Sequence, residues 1–208
     1  MRAFFKSLAL KYAAIAILPL SVLLYQPAVN FTALAWGERV LLRTRPVDPR
    51  DFLRGDYVTL DYDISDVPED LLPEGSLPDI ADDTEADSAD RAEEAVLRSG
   101  WKRYRTDRDY YRSYYRDLYV TLKLDGNGVG SIAGVSFTRP SGRLYLKGTI
   151  VWQWQSYSVD YGLGVYYVPE GTGRELEEAV RKGSVLADVR VLRGYGVLKN
   201  LETAAEGH

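Results

Sequence analysis

The chain has two kinds of apolar pattern. Residues 12–25, YAAIAILPLSVLLY, are apolar almost without a break, interrupted only by Pro19 and Ser21. Beyond Trp36 the apolar residues alternate with polar ones, the signature of strands with one covered face. Val58, Leu60, Tyr62 and Ile64 point one way, and Thr59, Asp61, Asp63 and Ser65 the other. The same period of two recurs in Leu118, Val120, Leu122 and Leu124, and again in Leu144, Leu146, Ile150, Trp152 and Trp154. A further run places Tyr157, Val159, Tyr161, Leu163, Val165 and Tyr167 on a single face. Asp125-Gly126-Asn127-Gly128, Pro140-Ser141-Gly142 and Arg193-Gly194 are turn chemistry between such runs, which favours hairpins over crossovers and a meander of antiparallel strands.

Two segments break this pattern. Thr172-Gly173-Arg174-Glu175 has capping-box spacing, in which the threonine oxygen takes an orphan amide and the glutamate reaches back. With Leu176, Ala179 and Val180 as its apolar stripe and Gly183 as its stop, it predicts a helix near 173–182, followed by strands near 185–192 and 195–201. Residues 66–96 hold twelve acids and one arginine, so they read as a solvated excursion, with a short surface helix from about Glu85 to Arg98. Residues 101–117, WKRYRTDRDYYRSYYRD, then carry six basic residues and five tyrosines. Such a surface suits nucleic acid or anionic headgroups. Neutralising the neighbouring acids is the simpler role, and nucleic acid is not a partner to expect outside a membrane.

Composition narrows the chemistry. With no cysteine among 208 residues, disulfides, thiolate metal sites and cysteine nucleophiles are excluded, and the single histidine, His208, is the last residue. No cofactor and no metal set is implied. Sixteen tyrosines and four tryptophans fit a β-rich module. The net charge of −4 is too mild to imply a polyanion partner.

The N-terminus sets the compartment. Arg2, Lys6 and Lys11 precede the apolar run, and from Leu8 to Leu34 the only charge is Lys11. Ala33-Leu34-Ala35 offers a cleavage-like site and Pro19 shortens the uninterrupted stretch, as in a cleaved signal peptide. The full length exceeds the roughly 20 residues that span hydrocarbon, which favours a retained anchor. The positive-inside rule then puts the N-terminus in the cytoplasm and the rest outside. The expected organisation is a cytoplasmic stub and transmembrane anchor at 1–36, an extracytoplasmic β-rich domain at 37–201, and a disordered tail at 202–208. The expected fold is mainly β, an antiparallel sandwich or partly open barrel with one or two short helices, preceded by the N-terminal transmembrane helix.

Residues 55–62 read GDYVTLDY. Together with TRPVDPRDFLR upstream and LKGTIVWQWQSYSVDYGLGVYYVPEGTG downstream, this resembles the GDYXXLXY family of bacterial membrane-anchored proteins across most of residues 36–201. The excursion at 66–117 departs from that pattern. The resemblance implies no particular activity, and a gene often found beside those for polytopic membrane proteins. Its signature, and any binding role, falls on Arg45, Pro46, Asp48, Pro49, Arg50, Asp51, Arg54, Gly55, Asp56, Tyr57, Leu60 and Tyr62. It also falls on Lys147, Tyr161, Tyr167, Pro169, Glu170 and Gly171.

Physically, the prolines pre-set an extended approach, Gly55 permits a tight backbone contact, and Asp48, Arg50, Asp51 and Arg54 are spaced for ion pairs along a rigid loop. A hydrolase would instead use two of Asp48, Asp51 and Asp56 as acid and base roughly 5 to 10 Å apart. The surrounding arginines would lower the carboxyl pKa values that such chemistry needs raised. A dyad of Lys147 with Ser136 or Ser141 is a further option by residue type, without a nucleophile motif to support it. The VPEGTG glycines, residues 168–173, could cradle an anion at a helix N-terminus, although the turn and cap explain them. The function expected is a non-enzymatic, membrane-anchored extracytoplasmic module that binds an integral membrane protein; the alternative is an envelope hydrolase acting on sugar or peptide.

Overall fold

A computed structural model describes residues 2–45, 57–73, 77, 96–104, 113–153, 156–167, 180 and 185–203. The apolar N-terminal run forms helix α1, Arg2–Trp36. Its side chains are described at Tyr12, Ile15, Ile17 and from Pro19 onward except Gln26, and among the described residues no helix is long and apolar enough to cross a membrane. After Gly37 the chain becomes mainly β: β1 Glu38–Arg45, β2 Tyr57–Thr59, β3 Asp61–Tyr62, β4 Lys102–Tyr104, β5 Ser113–Leu124, β6 Gly130–Ser136, β7 Tyr145–Gln153, β8 Ser156–Asp160, β9 Val165–Tyr167, β10 Val185–Leu192 and β11 Tyr195–Thr203.

These strands make three sheets, all paired antiparallel. One has the order β11-β10-β1-β3, one is β2-β9, and the third runs β4-β5-β7-β8 with β6 also on β5. They wrap a single core as a half-barrel. The alternation explains why: Val58, Leu60, Tyr62 and Ile64 are all buried, as are Leu118, Val120 and Leu122 of β5 and Leu146 and Ile150 of β7. Val40 and Leu42 of β1 meet them from the first sheet, with Val185, Ala187, Val189 and Val191 of β10. Each fully buried aliphatic side chain of this kind stabilises by about 1.5–3 kcal/mol relative to exposure. At the seams the backbone itself joins the sheets: Leu41 N–H donates to Gly128 O at 3.0 Å, and Lys147 N–H to Gly194 O at 2.8 Å.

The structure revises the expected connectivity in three places. First, residues 140–142 are not the turn of a hairpin. Both β6 and β7 pair with β5, with Val120 opposite Val135 on one edge and Leu146 on the other, so residues 137–144 carry the chain across β5. Second, Tyr157–Tyr167 is not one strand with one face. β8 ends at Asp160, whose carboxylate accepts the Gly162 N–H, and Gly162 turns at φ 70°. Leu163, beyond this turn, is still buried, but the phase has flipped by β9, so Val165 and Tyr167 face solvent while Tyr166 packs on the core. Third, β11 continues through Thr203, so residues 202 and 203 belong to the sheet rather than to the tail expected at 202–208. Glu202 there receives Arg39 at 2.7 Å.

The hairpin expected at 185–192 and 195–201 is present, turned by Arg193 (φ 53°) and Gly194 (φ 88°), the two left-handed positions of a tight hairpin turn. The helix expected over 173–182 lies outside the described residues except for Val180, which is helical and buried in the core. Most of the acidic excursion is likewise outside them. Residues 96–98 are helical, and Val96 and Trp101 tuck into the core.

Candidate functional site

The described part of the signature is a corner where β2 and β3 are stitched to the chain around β9. Tyr57, Val58 and Thr59 pair with Tyr167, Tyr166 and Val165. The ladder continues past the strand, with Leu60 N–H donating to Gly164 O at 2.9 Å. Two tyrosines then bridge in opposite directions. Tyr62 Oη donates to Leu163 O at 2.8 Å, and Tyr161 Oη donates to Ile64 O at 2.7 Å. Burial pushes both phenols well above the ordinary tyrosine range, and Asp61 adds to the shift at Tyr62. Both therefore stay neutral and serve as hydrogen-bond donors.

Arg45, at the end of β1, closes the corner. Its guanidinium donates to Asp66 and, at 2.8 Å, to Asp61. The bond to Asp66, with help from Asp61, holds Arg45 protonated more firmly than usual despite the cost of its partial burial. The acids lie on the polar face of the signature strand and just beyond it. A cleft of 250 Å³ opens beside this group, lined also by Ser158, Asp160 and Tyr161. Its polar groups are largely committed to the fold: two acids hold Arg45, Asp160 holds the Gly162 turn, and the tyrosines hold carbonyls. What this arrangement does well is fix a corner.

Of the other expected site residues, Pro46, Asp48, Pro49, Arg50, Asp51, Arg54, Gly55 and Asp56 lie outside the described residues, as do Pro169, Glu170 and Gly171. Tyr167 is exposed at the β9 end. Lys147 is in neither a lysine–serine dyad nor the corner. It pairs with Asp117 at 2.9 Å, which raises the lysine pKa and, chiefly through the same bond, lowers that of the aspartate. Ser136 Oγ bonds Thr138 Oγ1 at 3.0 Å, and Ser136 and Lys147 sit opposite Tyr119 on its two different edges.

A larger concavity lies elsewhere, where α1 enters the β body. There the last turns of the helix rest on the β10–β11 hairpin. Ala33 is buried, and Tyr195 Oη bonds Asn30 Oδ1 at 2.6 Å. Gly37 N–H donates to Ala33 O at 2.8 Å, and a Cβ at Gly37 would come within 2.3 Å of that oxygen. Beside this junction is a cavity of 710 Å³ walled by Trp36, Glu38, Arg139, Arg143, Tyr145 and Arg193, with the residues between them. Tyr145 organises it: its hydroxyl donates to Arg193 O at 2.9 Å and accepts from Arg139 Nε, whose guanidinium also lies 5.7 Å from the ring centre. In the sequence Pro140-Ser141-Gly142 and Arg193-Gly194 read as turns, with Ser141 also a dyad option for Lys147. The available signal was an arginine beside each turn, at 139, 143 and 193.

No curated protein and no solved structure matches the chain. A family model described as GDYXXLXY protein matches residues 19–201, from inside α1 to near the end of β11. The chain therefore belongs to the GDYXXLXY family.

Proposed function

We propose that this chain is a single-pass, membrane-anchored binding or assembly module of the bacterial inner membrane. Its basic N-terminus lies in the cytoplasm, its β body outside, and it is accessory to a polytopic membrane protein. The observation that carries this reading is the contrast along α1. Ile15, Ile17, Leu20, Val22, Leu23, Leu24 and Phe31 are uncovered, whereas Ala33 and Asn30 are fastened to the hairpin. Successive helix residues point about 100° apart, so exposed Val22, Leu23, Leu24 and Tyr25 present apolar surface in every direction. Such a surface calls for lipid or protein around it.

Retention of the helix fits the same contacts. Ala33 is buried and its carbonyl is bonded, so the Ala33-Leu34-Ala35 triplet, exposed at Leu34 and Ala35, is held in a helical turn rather than in the extended chain that a peptidase needs. A non-enzymatic role fits the signature corner, whose tyrosines, acids and arginine are engaged with one another and with the backbone. No observation favours the hydrolase alternative, whose Asp48, Asp51 and Asp56 lie outside the described residues.

The chain has no cysteine, so single cysteines report its topology cleanly. In spheroplasts treated with an impermeant maleimide, Lys123→Cys should label at once and Ser7→Cys only after permeabilisation. Immediate labelling of both, or recovery of the chain in the soluble fraction, defeats the anchor. A photo-crosslinking residue at Leu23 should capture a polytopic membrane protein; adducts to lipid alone would defeat the accessory role.

A further inference from the structure

We propose that the cavity at the junction of α1 and the β body binds the phosphate of an anionic phospholipid headgroup. The chain as a whole carries a net charge of −4, so a local surplus of cations needs a cause. Around this cavity three arginines face one acid, Glu38. Among the described residues, no carboxylate pairs with Arg139, Arg143 or Arg193, whereas Arg39, Arg45 and Lys147 elsewhere all hold acids. Three exposed guanidiniums without a carboxylate partner at one concavity present a cationic surface that an anion would balance.

The chemistry of the wall selects the kind of anion. Arg139 spends its Nε on Tyr145, which fixes the plane of the guanidinium and leaves its terminal N–H groups for a bidentate contact, the geometry that suits a phosphate. Arg193 is placed by a turn whose φ is itself unusual, and Tyr145 grips its carbonyl. At 710 Å³ the cavity has room for a glycerophosphate headgroup rather than a bare ion. Trp36, largely exposed at the helix end, is the residue type that sits at headgroup level. A smaller cleft of 300 Å³ shares Arg139, Tyr145 and Arg193 and extends the surface toward Tyr195. The identity of the source, a lipid rather than a free phosphate ester, rests on the membrane-anchor reading; the anion site itself does not.

The test uses the full chain in uncharged detergent micelles, with calorimetric titration of short-chain phosphatidylglycerol, short-chain phosphatidylcholine and inorganic phosphate. Phosphatidylglycerol should bind saturably and at least about tenfold more tightly than phosphatidylcholine, with affinity falling as salt rises. Arg139→Gln with Arg143→Gln should lower that affinity at least about tenfold, while Glu38→Gln should raise it. If the double variant fails to fold, Glu38→Gln still decides, because removing the acid strengthens an anion site and leaves an unrelated surface unchanged. Tight binding of inorganic phosphate without preference between the lipids would overturn the lipid source and retain the anion site. Equal, weak responses to all three ligands would overturn the proposal. None of these results depends on the cysteine labelling, so loss of the anchor reading and loss of the site are separable.

Discussion

Tyr62 and Tyr161 each place a phenol in the core and use its hydroxyl to tie the signature strand to the chain beyond β8. Removing either hydroxyl leaves a buried carbonyl, Leu163 O or Ile64 O, without its donor. Tyr62→Phe and Tyr161→Phe should therefore each lower stability by about 1–2 kcal/mol in urea unfolding near neutral pH. The two phenols also make stability depend on pH in a known direction. In the unfolded chain a tyrosine loses its proton near pH ~10, and burial holds these two above that value. Below about pH 10 both states are protonated and the contribution is intact; above it only the unfolded chain gains by ionising, so stability falls as pH rises further. The thermal midpoint should drop above about pH 10, and the Tyr62→Phe/Tyr161→Phe double variant should drop less steeply. An equally steep drop in the double variant would remove burial of these two as the cause. At this scale the sequence was partly legible: alternation put Tyr62 and Tyr161 on apolar faces. The charge pairs expected within the loop at 48–54 lie outside the described residues; what the sequence did not show is that Arg45 reaches forward to Asp61 and Asp66, acids brought near only when β3 aligns with β1.

The β10–β11 hairpin shows how an element is held at its tip. Gly194 turns at φ 88° with the ring of Tyr145 so close that a Cβ would come within 2.2 Å of it. Gly194→Ala is expected to cost more than about 2 kcal/mol, from backbone strain and overpacking together. Hydrogen exchange at the Lys147 amide, which donates to Gly194 O, should accelerate in that variant. Tyr145→Phe, which loses only its bonds to Arg193 and Arg139, should cost about 1 kcal/mol and leave that amide protected. Strand positions were legible because each strand has one buried face and a period of two. Which strands pair was not, because local turn chemistry reports only the adjacent connection. Pro140-Ser141-Gly142 looks like a hairpin turn, yet it belongs to a loop crossing β5, whose 12 residues offer pairing edges on both sides. The flip between Leu163 and Val165 was hidden for a related reason: the facing changes there without interrupting the apolar alternation.

For the whole molecule, the decisive contact is the one between α1 and the hairpin, because it turns a helix into a fixed handle on the β body. Gly37 permits it, and Gly37→Val would drive a side chain into Ala33 O and the Val191 backbone. That variant should release the last turns of α1, seen as faster amide exchange over 30–36, while the sheets keep their protection. Unchanged exchange there would mean that Gly37 is not the constraint. The local sequence shows arginines at the turns, at 139, 143 and 193, but not that they meet at this junction. Trp36, Arg139, Arg143 and Arg193 are contributed by the end of the helix, the loop across β5 and the tip of the last hairpin, and they meet only once the sheets of β1 and β5 come together.

The central position of β1 in its sheet imposes an order on biosynthesis. Glu38 lies opposite Val191, so the first strand to be made waits for nearly the last. Until β10 arrives, β1 offers a bare edge beside a greasy leader, a state inviting misassembly and degradation. Chains shortened before residue 185 should consequently be cleared by quality control rather than accumulate as partial domains.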